Sequence, residues 1–283
     1  MKRCSVCAGK MPVFSVSLML ALISVVLLTA PAAMADQTAV APAAVAQMPV
    51  TLLDHILARG YIQIGTTGDY KPFTYLNPDT NQFEGIDIDM ANDLGKALGV
   101  EVRFVKTTWP TFMQDFQAGK FDVAMSGNSI NMERQKVALF SIPYLRDGKT
   151  PITRKENADK FQTLEQIDQE GVKIIVNPGG LNEKFARANI KKATVIVHED
   201  NVTIFDQIVQ GKADLMITDV IETLLQQKLH PELVSVHPDQ PFTFAEKAYM
   251  MPRDIILKQF IDQWLHSALM NGTYQKIYDT WMK

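Results

Sequence analysis

Cysteine is almost missing from these 283 residues: there are two, Cys4 and Cys7, both within the first ten positions. That excludes a fold stapled by several disulfides. A zinc site built on cysteine pairs is excluded too, because the C-x-x-C spacing has no second pair to complete it. The five histidines, His55, His198, His230, His237 and His266, show no metal-ligand spacing, so no metal and no other cofactor is expected. There is no phosphate-cradling glycine loop and no Ser/His/Asp order. A cationic excess is lacking as well, with 28 basic side chains against 31 acidic and a formal charge of −3. Nucleic acid and anionic membranes are therefore not expected as partners. Any anionic ligand has to be met by a local cluster of cations.

One long apolar run exists, over residues 13–28, preceded by Lys2, Arg3 and Lys10 and followed by Ala33-Met34-Ala35. This pattern predicts a secretory signal peptide over 1–35, cleaved after Ala35. Ser15, Ser17 and Ser24 within the run, and the Ala-x-Ala ending, weigh against an uncleaved anchor helix. Cleavage would remove both cysteines and leave 25 basic residues against 31 acidic, a formal charge of −6. No cysteine follows the apolar run, so a lipid anchor is not expected. Residues 36–50, rich in alanine and proline without periodicity, read as a flexible leader. The expected product is an exported, periplasmic chain that folds without disulfides and has no membrane segment.

From residue 51 onward strand-like and helix-like segments alternate. Strands are expected at 61–65, 100–105 and 121–125, with helices at 87–98 and 111–118 between them. The order restarts after 150, with strands at 172–176, 194–198, 214–217 and 233–236 separated by helices. A last strand at 247–251 and two helices, 255–270 and 274–282, close the chain. Helices crossing between strands predict a mostly parallel sheet covered on both faces. Two such units with no linker between them suggest an α/β protein of two lobes with hinge crossovers. The expected limits are 51–145 plus 246–283 for one lobe and 146–245 for the other. A cleft between the lobes is the expected ligand site.

The stretch 125–151, MSGNSINMERQKVALFSIPYLRDGKTP, is the centre of that expectation. Small polar residues after a strand leave backbone and hydroxyl groups free, and Arg134 follows one turn on. A guanidinium fork with hydroxyl and N–H donors suits a carboxylate. Taken alone, the same residues read as a polar loop with an arginine on a solvated helix face. Other candidates share its location just after a strand. Asp69, Tyr70 and Phe73 follow the first strand, and Trp109 follows the next. Asn128 and Ser129 follow the third. Gly179, Gly180 and Asn182 open a helix whose free N–H groups favour an anion. Asp219 and Glu222 follow the strand at 214–217.

These segments, among them TTGDYKPFTY, FDVAMSGNSINMERQ, FSIPYLRDGKTPI, NVTIFDQIVQGKADLMITDVIE and FAEKAY, resemble periplasmic cyclohexadienyl dehydratases. Those enzymes use the two-lobed, type II solute-binding-protein fold, and the resemblance runs from about residue 52 to the C-terminus. It implies a lyase acting on prephenate or arogenate, and, for some members, assembly into homo-oligomers. It implies that Arg134 and Ser129 hold a carboxylate, that Tyr70 and Trp109 wall the ring, and that Asp219 occupies the position that meets an amino group in binding relatives. Glu222 would be the general acid and Lys149 an accompanying cation, set against Glu222 or against a substrate carboxylate. Both Asp219 and Glu222 are expected to face the cleft, one helical turn apart. Leu181 stands where the family usually has Thr or Ser, and Asn128 is a candidate to replace the lost hydroxyl. The alternative is a non-catalytic binding protein that delivers an amino acid or organic anion to a transporter.

Overall fold

The computed structural model describes residues 50–283. The expected signal peptide, both cysteines and nearly all of the leader lie outside the described residues. Thr51 caps the first helix, its side chain accepting from the Asp54 N–H while the Asp54 carboxylate accepts from the Thr51 N–H. This closed capping box starts α1 (Leu52–Arg59), and Gly60 in the left-handed region ends it. The sequence pattern had not singled out α1.

The chain then runs through β1 (Tyr61–Thr66), β2 (Asp69–Tyr70), β3 (Thr74–Leu76), β4 (Phe83–Glu84), α2 (Ile86–Leu98), β5 (Glu101–Lys106) and α3 (Phe112–Gln117). After β6 (Val123–Ala124), α4 (Met132–Gln135) and β7 (Leu139–Phe140), it leaves through β8 (Leu145–Asp147). A second set follows: β9 (Lys149–Arg154), α5 (Leu164–Ile167), β10 (Lys173–Val176), α6 (Leu181–Asn189), β11 (Thr194–Val197), α7 (Ile204–Val209), β12 (Leu215–Asp219), α8 (Val220–Leu229) and β13 (Leu233–Ser235). The return passes through β14 (Ala245–Lys247) to β15 (Met250–Met251), α9 (Ile255–Met270) and α10 (Thr273–Met282).

Two five-stranded sheets result, ordered β5-β1-β6-β15-β7 and β11-β10-β12-β9-β13. In each, four strands point one way and one runs against them: β15 in the first, β9 in the second. The reversed strand is in both cases the first one reached after the chain crosses from the other sheet. Antiparallel β8 and β14, with Leu145 opposite Lys247, carry the two crossings side by side. A two-lobed α/β fold with mostly parallel sheets is what the alternation predicted. The expected strand 247–251 is in fact two. β14 pairs with β8, β15 pairs with β6 and β7, and the chain turns between them.

Ile174 and Ile175 of β10 point to opposite faces, and each meets its own apolar cluster, so the second sheet is buried on both sides. Around the first sheet, Ile62, Ile64, Val123 and Met90 pack with Leu257, Ile261 and Leu265 of α9. Ile221 and Leu225 of α8 join this cluster, so the helix following β12 is seated on the core of the other lobe. Among the described residues no helix is long and apolar enough to cross a membrane.

Candidate active site

A narrow cavity lies where the ends of β1, β6, β10 and β12 meet the β8/β14 crossover. Its free space is about 30 Å³, room for a water or two, so a ring-sized ligand enters only when the lining parts. Tyr70, Gly127, Ser129 and Arg134 line it from the first lobe, and Asn177, Gly180, Leu181, Asn182 and Asp219 from the second. Lys149, which opens β9 just beyond the crossover, and Lys247, the last residue of β14, complete its polar wall. Gly127 has φ +64°, and a Cβ there would stand 2.4 Å from the Phe73 ring and 2.6 Å from the Tyr70 ring. Only glycine allows the loop to approach these aromatics so closely.

Asp219 sits at the centre. Its Oδ1 accepts from Lys149 Nζ at 2.7 Å, and its Oδ2 from Lys247 Nζ at 2.6 Å and from the Tyr70 hydroxyl at 2.5 Å. Burial works to raise its pKa, but the two ammonium groups outweigh burial and hold the carboxyl well below the ordinary carboxylate range. Lys247 is fully buried and also donates towards Gly127 O, Ser129 Oγ and the Tyr70 oxygen at 3.0, 3.1 and 3.2 Å. Burial alone would lower its pKa, yet Asp219 and Asp147 raise it, so it is a cation at neutral pH.

Arg134 donates one N–H to Ser129 O at 3.1 Å and lies over the Phe112 ring at 5.2 Å. Burial depresses its pKa to about 10, with Asp219 opposing, so it stays charged. Lys149 also donates to Asn182 Oδ1, and this orients the amide so that Asn182 Nδ2 donates to Thr218 Oγ1 at 2.9 Å. The Thr218 hydroxyl then has its own proton for Glu222 Oε2, at 2.5 Å. Glu222 is 1% exposed. Burial pushes its carboxyl up to about 8; Asp219 adds to the shift, while the Thr218 hydrogen bond and the two lysines oppose it.

Residues 62–283 match the model of the bacterial extracellular solute-binding proteins, family 3. The chain belongs to this family. It is 59% identical over 231 residues to a cyclohexadienyl dehydratase of Pseudomonas aeruginosa, a match covering 82% of this chain and 86% of the relative. It is 26% identical over 232 residues to the L-cystine-binding protein TcyJ of Escherichia coli, covering 81% of this chain and 85% of that one. Among solved structures it is similar to an ancestral amino-acid-binding protein described as a precursor of cyclohexadienyl dehydratase. That match has 38% identity and a TM-score of 0.76, covering 82% of this chain and 100% of the other. An ancestral cyclohexadienyl dehydratase matches at 52% identity with a TM-score of 0.54, covering 83% and 98%.

In this family-3 chain the cavity brings together Arg134, Ser129, Tyr70, Trp109, Gly180, Asn182, Asp219 and Lys149. Two expected residues are placed otherwise. Asn128 does not line the cavity; its side chain turns back over its own strand and donates to Ala124 O at 3.1 Å, so it offers no substitute for a hydroxyl at Leu181. Glu222 is not in the lining either. It lies one layer back, bonded to Thr218, because Asp219 is the cap of α8 and takes the cavity-facing position. Lys149, left open between Glu222 and a substrate carboxylate, pairs with Asp219. Leu181 lines the wall, as its apolar bulk implies.

Sequence reasoning missed Lys247, Thr218 and Asn201. Lys247 stands in the segment FAEKAY between Glu246 and Ala248, where no local pattern marks it as buried. Asn201 donates to Asp69 O at 2.9 Å, bridging the two lobes, and its Oδ1 is a buried acceptor without a partner.

Proposed function

We propose that this chain is a cyclohexadienyl dehydratase, a carbon–oxygen lyase that converts prephenate to phenylpyruvate, arogenate to phenylalanine, or both, in the periplasm. Glu222 carries the proposal. It is a buried carboxyl that keeps its proton through neutral pH, linked through Thr218 to Asn182 in the wall of a cavity lined by three cations. A carrier has no use for such an acid, whereas loss of water from a ring requires one.

Arg134 and the Ser129 hydroxyl would fork onto one substrate carboxylate, with Tyr70 and Trp109 against the ring. Thr218 donates to Oε2 of Glu222, which leaves the carboxyl proton to Oε1. That proton passes to the ring hydroxyl as its C–O bond breaks. The C–C bond to the ring carboxylate breaks with it, and its electron pair completes the aromatic ring. Water and CO₂ leave, and Glu222 regains its proton from solvent. Aromatisation supplies much of the driving force, so positioning and one proton are most of what the protein adds. Substrate has to part the lining in front of Glu222. The Lys149 ammonium, held between Asn182 and Asp219, keeps a third N–H that a substrate oxygen can accept.

Purified protein incubated with prephenate at neutral pH tests the proposal. Formation of phenylpyruvate supports it. No turnover, together with tight binding of a free amino acid, would make the chain a carrier.

A further inference from the structure

Resting on the dehydratase reading, we propose that this cavity selects the 2-oxo form of its substrate over the 2-amino form, because the carboxylate that would receive an ammonium group is already occupied by two lysines. Asp219 is the carboxylate among the charged lining residues, against Arg134, Lys149 and Lys247. A carboxylate offers about four lone-pair sites, and three donors already sit on this one, at 2.7, 2.6 and 2.5 Å. A substrate ammonium brought to Asp219 would meet two like charges before it met a free lone pair.

Neither lysine is easily moved aside. Lys247 is fully buried among four acceptors from three separate segments of chain: Asp219, Gly127 O, Ser129 Oγ and the Tyr70 oxygen. Lys149 is buried and spans Asn182 and Asp219. With three protons and two acceptors, Lys149 has one N–H left for the cavity it lines. A carbonyl oxygen accepts that proton; an ammonium group cannot. Asn201 Oδ1, unpartnered in the same wall, gives an ammonium a hydrogen bond but no compensating charge. The position that serves an amino group when it carries a bare carboxylate has become, through Lys149 and Lys247, a site for an oxygen.

The test is kcat/KM for the 2-oxo and 2-amino diacids, prephenate and arogenate, on the full mature chain at low ionic strength. Calorimetric binding of the products phenylpyruvate and L-phenylalanine accompanies it. The oxo substrate is expected to be favoured by about tenfold or more, and phenylpyruvate to bind more tightly than phenylalanine. Lys149→Gln, which frees one oxygen of Asp219, is expected to bring the ratio down at least several-fold, while Lys149→Arg keeps it. Equal or inverted preference in the unaltered protein overturns the inference, as does a ratio unmoved by Lys149→Gln. If Lys149→Gln does not fold, the unaltered protein's ratio decides. Turnover of neither substrate would sink the dehydratase reading instead, and the two product affinities would then decide the selectivity by themselves.

Discussion

Lys247 Nζ lies 2.6 Å from Asp219 Oδ2, and both side chains are buried. Lys247 comes from β14, on the return crossing, and Asp219 from the end of β12 in the other lobe. A buried ion pair stabilises only when its remaining donors and acceptors are met, since both ions lose their hydration. Here they are met by Lys149, Tyr70, Gly127 O and Ser129 Oγ. The pair therefore joins the crossover, the loop after β6 and the second sheet at one point.

Removing one member leaves the other charged and buried. Lys247→Met is expected to lower the unfolding free energy by about 3–5 kcal/mol, the usual cost of breaking a buried pair from one side. Urea unfolding measures it, and a loss below about 1 kcal/mol would show that the pair contributes little to the fold.

Arg134 is expected to hold a substrate carboxylate equally in ground and transition states. Arg134→Lys keeps the charge but loses the planar fork, so KM should rise about tenfold while kcat changes little. Steady-state kinetics separates the two. A fall in kcat at unchanged KM would move Arg134 from binding to the chemical step.

Glu222 also makes stability depend on pH. Its native pKa of about 8 lies above the ordinary 4.5, so between those values the folded state keeps a proton that the unfolded chain releases. Stability from this group is complete below about 4.5, is lost as pH rises towards 8, and is level above it. Asp87, buried and raised to about 7, acts in the same direction. Subtracting the Glu222→Gln curve from that of the unaltered protein removes the Asp87 contribution and leaves the Glu222 window. A flat difference across pH 4.5–8 would mean that Glu222 is not perturbed.

The parts of this molecule legible in its sequence are those set by local patterns. Alternating strands and helices gave the two-lobed α/β fold, and strand ends gave most of the cavity wall. What the sequence hid was set by long-range geometry. Lys247 is 118 positions from Ser129, and only the pairing of β8 with β14, plus an isolated bridge between Ser129 and Lys247, brings them together. The 3.6-residue spacing placed Asp219 and Glu222 on one side of a helix. Spacing does not say that Asp219, as the cap, would take the cavity while Glu222 sits behind it on Thr218. Asn128 was misplaced for a similar reason, since the turn around Gly127 directs its side chain back over β6.

Prephenate turnover in Glu222→Gln beside the unaltered protein, at neutral pH and with phenylpyruvate binding measured on both, decides whether Glu222 is the proton donor. The glutamine keeps the shape and the Thr218 hydrogen bond but has no acidic proton. With Glu222 as the acid, kcat falls by about 10²-fold or more while phenylpyruvate affinity stays within a few-fold. A kcat close to that of the unaltered protein would take the acid's role away from Glu222.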